Sequence, residues 1–322
     1  MTRRKPPVTK TVTSMKRLAL LTLFLAMAVG SSAQNFSGTF LYEKRDTCDL
    51  FLDVYEPSPG SEAGRPTVLF VFGGGFVGGQ RNEPFYHPWF KLLNDNGFRV
   101  VAIDYRLGLK GVDMRFDLFH LIDASKKTQK AVNMGVEDVF SAVNYLCRNK
   151  DKLGIDPSRI VLAGNSAGAM ISLSSEWEEC NRTPRAQTLP EDFRFAGVIS
   201  FAGAIMSDTG KPRYLREPCP QLLIHGTDDA AVTYKKTSFA KRGMWGSSYV
   251  AEILEKQGFS YQIFRYVGHT HDMAANLVET WPEQIRFLEE NVIAGIKRTI
   301  DATLDDPAMT VREEITLSDI YK

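Results

Sequence analysis

The chain has 322 residues, 43% hydrophobic and 24% charged, a balance that excludes a disordered polar tract or a fibrous repeat. Its 39 basic residues almost balance 38 acidic ones. Six of the basic residues and none of the acidic ones lie in the first 33 positions, so the rest carries −5, without the electrostatic footprint of a nucleic-acid binder.

Those first 33 residues read as an export signal. Arg3, Arg4, Lys5, Lys10, Lys16 and Arg17 precede the apolar run LALLTLFLAMAVG at 18–30, and Ser31, Ser32 and Ala33 supply a small-residue cleavage site. The 13-residue run is too short to span a bilayer as a helix, which takes roughly 20. The expectation is an exported protein, periplasmic or secreted, with no stable membrane span after cleavage. Four cysteines follow, Cys48, Cys147, Cys180 and Cys219, whose three pairings the sequence does not separate; Cys147 falls in a helical pattern and reads as a small buried hydrophobe.

From there strands and helices alternate. Residues 50–55 alternate as a half-exposed strand, hairpinned with 39–43, and 67–72 is an apolar run suited to a strand buried on both faces. A helix over 88–96 leads to a strand at 99–104. Val139, Ala142, Val143 and Leu146 recur at helical spacing within 136–149. Further strands are expected at 159–163, 195–201, 221–225 and 261–266, with helices at 248–256 and from about 273 to 300. Residues 301–322 read as a polar tail. This alternation predicts an α/β fold, a mostly parallel twisted sheet with helices on both faces and an N-terminal antiparallel hairpin, as one domain over 34–300. In such sheets ligands bind beyond the carboxyl ends of the strands.

Polar residues are concentrated at those ends. After the strand at 159–163 comes Gly164-Asn165-Ser166-Ala167-Gly168 and then a helical run, which is G-x-S-x-G in the strand–turn–helix setting of a nucleophilic serine. A serine hydroxyl needs a base and a group that orients the base. The strand at 221–225 ends in His225-Gly226-Thr227-Asp228-Asp229, and the last strand in Val267-Gly268-His269-Thr270-His271-Asp272, so an acid and a base fall at later strand ends. Three glycines, Gly73, Gly74 and Gly75, follow the strand at 67–72, where bare N–H groups could meet an oxyanion at about 2.7–3.1 Å. No clustered His, Cys, Asp or Glu set has metal-ligand spacing apart from the paired His269 and His271, so no metal or organic cofactor is implied.

Together, DVYEP, GGGF, DYRL, GIDPSRIVLAGNSAGA and HGTDDAAV resemble the α/β-hydrolase superfamily, in its esterase/lipase branch of carboxylesterases and acetyl- or feruloyl-esterase-like members. The resemblance runs from about residue 50 to 290. It implies Ser166 as nucleophile, Gly74, Gly75 and Ala167 as oxyanion-hole donors, and Asp229 of H-G-T-x-D as the acid. Tyr266-Val-Gly268-His-Thr-His271 fits the family's spacing and favours His271 over His269 as the base. The implied activity is hydrolysis of a small-molecule or polysaccharide-linked ester by a Ser-His-Asp triad. A serine peptidase of prolyl-oligopeptidase type and a non-catalytic binding protein on the same fold are the alternatives. Two departures stand out. Phe72 occupies the place of a histidine in the hormone-sensitive-lipase subgroup, and Asn165 and Ala169 stand where many relatives have aspartate and glycine. Residues 106–130, with Phe116, Phe119 and His120, are long enough for a partial lid, and Phe76, Phe85, Tyr86 and Trp89 either line a pocket or pack the fold.

Overall fold

A computed structural model describes residues 35–306 except 63, 116 and 118, together with 309, 311 and 321. The proposed signal at 1–33, Phe116 of the proposed lid and most of the tail lie outside the described residues. An antiparallel hairpin of β1 (Phe36–Arg45) and β2 (Cys48–Tyr55) opens the fold. Then come β3 (Thr67–Val71), α1 (His87–Asp95), β4 (Arg99–Ile103), α2 (Leu121–Arg148), β5 (Ile160–Asn165) and α3 (Ala167–Asn181). The second half contains β6 (Gly197–Phe201), β7 (Ala204–Ser207), β8 (Gln221–Gly226), β9 (Lys236–Phe239) and β10 (Arg242–Gly246). It closes with α4 (Ser247–Lys256), β11 (Gln262–Tyr266), α5 (Trp281–Phe287) and β12 (Ile300–Leu304).

Nine of the strands form one sheet in the order β1-β2-β4-β3-β5-β6-β8-β11-β12. Pairings are antiparallel as far as β4 and parallel from there on. Every residue of β3, β5, β6 and β8 is buried, which is why these strands read as mostly apolar runs rather than as alternation. Val68, Phe70, Leu162, Ile199 and Leu223 have no exposed surface, and each such side chain contributes roughly 1.5–3 kcal/mol on leaving water. The fold class expected from the sequence is the one observed.

Three expectations change. Residues 121–130, the second part of the 106–130 stretch assigned to the lid, are the first turns of a 28-residue helix. The buried face at this end of the helix, with Ala124, Thr128, Ala131 and Val132, is narrow and partly polar, so its period is faint in the sequence. The single helix from 273 to 300 is instead a short turn at His271–Ala274, then α5 restarted by Pro282, then a π-helical turn at Leu288–Ile293. The tail expected from 301 begins as β12, pairing in parallel with β11 from Gln262↔Ile300 to Tyr266↔Leu304. A second, three-stranded antiparallel sheet, β7-β10-β9, was not foreseen; it stands beyond the carboxyl ends of β6 and β8. Cys48, Cys147, Cys180 and Cys219 are free thiols, with Cys147 half-buried. Among the described residues no helix is long and apolar enough to cross a membrane.

Candidate active site

Strand β5 delivers Ser166 into a backbone conformation that a side-chain-bearing residue rarely adopts, φ +52° and ψ −121°. Such a conformation costs of order 1–3 kcal/mol and survives where its surroundings fix it. Here they do: the Ser166 N–H donates to Phe201 O at 2.9 Å and its carbonyl accepts from Met170 N–H at 3.0 Å. Gly168 lets the first turn of α3 press on the end of β3, since a Cβ there would collide with the Val71 and Phe72 carbonyls.

The Ser166 Oγ lies 2.7 Å from His271 Nε2, and His271 Nδ1 lies 2.8 Å from Asp229 Oδ2. All three side chains are buried. His271 follows β11 and Asp229 follows β8, two adjacent parallel strands. Gly226 allows their loops to meet, because a Cβ there would strike the carbonyls of His269 and Thr270. The proton of His271 belongs on Nδ1, which faces a carboxylate, so Nε2 presents its lone pair to the serine hydroxyl.

Asp229 is held from every side. Its Oδ1 accepts from the N–H groups of Ala231 and Val232, each at 2.9 Å. Its Oδ2 faces a second histidine, His225 Nε2, at 3.1 Å. That nitrogen also lies 3.0 Å from Val232 O, and Nδ1 lies 2.8 Å from Ser247 Oγ. Two acceptors around Nε2 place its proton there. Burial alone would raise the Asp229 pKa, but hydrogen bonds from His225 and His271 outweigh it and hold the carboxyl well below the ordinary range. His269 makes a separate pair: its Nδ1 lies 2.8 Å from Asp272 Oδ2, and Asp272 Oδ1 accepts from Thr270 N–H at 2.9 Å. The structure therefore brings His271, not His269, to the serine, and Asp229 rather than Asp228 to His271.

A cavity of about 60 Å³ adjoins Ser166, lined among others by Gly75, Phe76, Ala167, Met170 and Tyr321. Gly74 stands one residue back, its carbonyl accepting from the N–H groups of Val77 and Gly78 at 3.1 Å. Ala167 begins the 15-residue α3, whose N-terminal end favours negative charge. The Gly73 N–H is taken by Asn165 Oδ1 at 2.8 Å, while Asn165 Nδ2 donates to Ala274 O at 2.9 Å. This buried residue thus ties the glycine loop to the turn carrying His271, a role its sequence position did not suggest. The only hint was the departure from aspartate, a residue unable to donate to a carbonyl when ionised.

Phe72 replaces a pinning histidine by packing. Its ring lies 4.5 Å from that of Tyr105, whose hydroxyl donates to Phe72 O at 3.1 Å. Of the other aromatics, Phe76 lines the cavity, while Trp89 is core and donates to Gln284 Oε1 at 2.6 Å. Tyr86 stacks on Phe90 in the same core, and Phe85 is about half exposed. Among the described residues no group of three or more His, Cys, Asp or Glu is arranged to hold a metal ion.

A mostly parallel sheet with a serine at a strand-to-helix elbow, and an acid and a histidine at later strand ends, is the arrangement of the α/β-hydrolase fold. A model of the carboxylesterase family matches residues 27–177, and a model of the alpha/beta hydrolase fold matches residues 128–244. Together these two matches support the α/β-hydrolase esterase superfamily. The chain is 34% identical to the fumonisin B1 esterase of Sphingopyxis macrogoltabida over 122 residues, 37% of this chain and 21% of that one. It is 30% identical to the para-nitrobenzyl esterase of Bacillus subtilis over 140 residues, 44% of this chain and 26% of that one. The chain thus spans about a quarter or less of the length of these curated relatives. An esterase structure from Thermogutta terrifontis superposes with a TM-score of 0.57 at 23% identity, covering 79% of this chain and 92% of that one, a likeness of fold.

Proposed function

We propose that the protein is an exported serine esterase that hydrolyses carboxylic esters through an acyl-enzyme on Ser166. The observation that carries this reading is the unbroken hydrogen-bonded run from Ser166 Oγ through His271 to Asp229. His271 Nε2 takes the hydroxyl proton as Oγ attacks the ester carbonyl, and the new oxyanion rests on the N–H groups of Gly74, Gly75 and Ala167. The tetrahedral intermediate collapses, breaking the C–O bond, and His271 returns the proton to the departing alcohol. Water then attacks the acyl-enzyme, with the same histidine as base, and releases the acid. Asp229 keeps the imidazole in its working tautomer and stabilises its positive form. No cofactor enters the scheme. Small-molecule and polysaccharide-linked esters are the proposed substrates, and the basic-then-apolar pattern of residues 1–33 supports export to the periplasm or beyond.

A fluorophosphonate probe tests the nucleophile: the intact protein should take one label on Ser166, and Ser166→Ala none. Initial rates on p-nitrophenyl esters, acetylated xylan, methyl ferulate and prolyl peptides then test the class. Turnover of peptides alone would move the protein to the peptidases, and failure to label would favour a binding protein.

A further inference from the structure

The cavity at Ser166, about 60 Å³, is small beside the 300–1,000 Å³ of pockets that enclose drug-sized ligands, and suits the scissile carbonyl with a small substituent. It is not a closed end. Three of its lining residues, Thr128, Ala231 and Met244, also line a much larger groove of about 730 Å³. One wall of that groove is the start of α2, with Leu121, Ile122 and Thr128; the other is the small sheet, with Met206, Phe239 and Met244. The volume falls within the range of pockets that enclose drug-sized ligands.

The geometry points to this groove as the binding site for an elongated apolar group on one side of the scissile ester bond, so that the substrates are esters pairing one small group with one long or bulky hydrophobic group. The inference rests on Ser166 being the nucleophile. Four observations support it. The groove lies beyond the carboxyl ends of the parallel strands, where α/β sheets bind ligands. Leu121, Ile122 and Phe239 are 47%, 50% and 73% exposed around it, a cluster of bare apolar side chains that soluble proteins keep for a purpose. All four residues of β9 are exposed, and three of them, Thr237, Ser238 and Phe239, line the groove. The lining shared with the serine cavity makes a continuous path, which a docking surface for another protein would not need. Of the charged groups in its lining, Arg242 and Asp208 pair with one another at 3.5 Å and Lys241 is exposed to solvent, so the apolar side chains set the preference.

Two ester series separate the sides of the bond: p-nitrophenyl esters from acetate to decanoate lengthen the acyl group, and acetates from ethyl to octyl lengthen the alcohol. In one series kcat/KM should rise about three- to four-fold per added methylene, the gain expected from moving a CH₂ out of water. In the other it should stop rising at a small substituent, all that the small cavity suits. Ile122→Asp with Phe239→Asp, both on exposed positions that fold readily, should flatten the rising series, cutting the octanoyl-to-acetyl or octyl-to-ethyl ratio at least ten-fold. Binding of the same esters to Ser166→Ala, followed by calorimetry, should show the same gradient without turnover. A flat gradient in both binding and turnover overturns the groove and leaves the esterase reading standing. A gradient in binding with no hydrolysis by the intact protein overturns the esterase reading and leaves the groove. If the double variant instead changes only the oligomeric state in gel filtration, the groove is an interface between copies and the inference fails.

Discussion

Asn165→Leu is the most informative single change. The leucine matches the asparagine in size, so the packing at this buried position is kept while its hydrogen bonds vanish. The Gly73 N–H and the Ala274 carbonyl, at 2.8 and 2.9 Å in the native protein, both lose their partner. Each buried group left unmade costs about 1–3 kcal/mol, so the loss is about 4 kcal/mol in all; the Tyr86 hydroxyl, at 3.4 Å, adds little. At about 2–4 °C per kcal/mol for a domain of this size, Tm should fall by about 10 °C. The two loops joined by Asn165 hold the oxyanion donors and His271, so the rate of acyl transfer should fall about 10- to 100-fold, below the 10²–10³ that removal of a whole donor causes. Differential scanning calorimetry gives the first number, and p-nitrophenyl acetate turnover with fluorophosphonate labelling gives the second. A variant melting within 2 °C of the parent with a rate within two-fold would show that the loops stay in place without the asparagine.

Asp229→Asn should lower kcat by about 10⁴, because an amide on His271 Nδ1 favours the wrong tautomer; a loss under ten-fold at pH 8 would remove Asp229 from the mechanism. Since the Asp229 pKa is depressed in the fold, its stabilisation is present above the ordinary carboxylate range and is lost as the pH falls through that range and below, which acid melts should register as a falling Tm. Glu176 behaves oppositely. Burial, then the charge of Glu179, pushes it up to about 8, so its contribution is full below about pH 4.5 and disappears as the pH rises towards 8, at about 1.4 kcal/mol per unit. Glu176→Gln should flatten the decline in Tm between pH 5 and 8; an unchanged slope would show that the decline has another source. Gly168→Ala should yield no folded protein, judged by soluble expression and circular dichroism, because the new methyl meets the Val71 carbonyl.

Much of the fold is legible in local patterns. The buried strands announce themselves as short apolar runs, and the elbow, H-G-T-x-D and the six-residue step from Tyr266 to His271 each sit within a few positions. What escaped notice has no such signature. Strand β9 reads Lys-Thr-Ser-Phe, wholly exposed, and β10 holds two glycines, so neither shows an apolar alternation. Strand β12 alternates Ile300, Ala302 and Leu304 with polar partners, but too briefly to stand out from a tail. The first turns of α2 bury a narrow face under many lysines. The bonds of Asn165 reach across 92 and 109 positions, and those of Asp229 to His225 and His271 across 4 and 42. Sequence could propose which residues do chemistry; which residues hold them emerged only from their coordinates.

Strand β12 also shields its neighbour. By capping β11 along its whole length, it makes the strand that leads to His271 an interior member of the sheet. Deprived of residues 300–304, β11 would present a bare ladder of amides and carbonyls, a template on which other chains could add. Damage at that rim would therefore surface as sticking between molecules and as looseness around His271, both from a segment that touches no substrate.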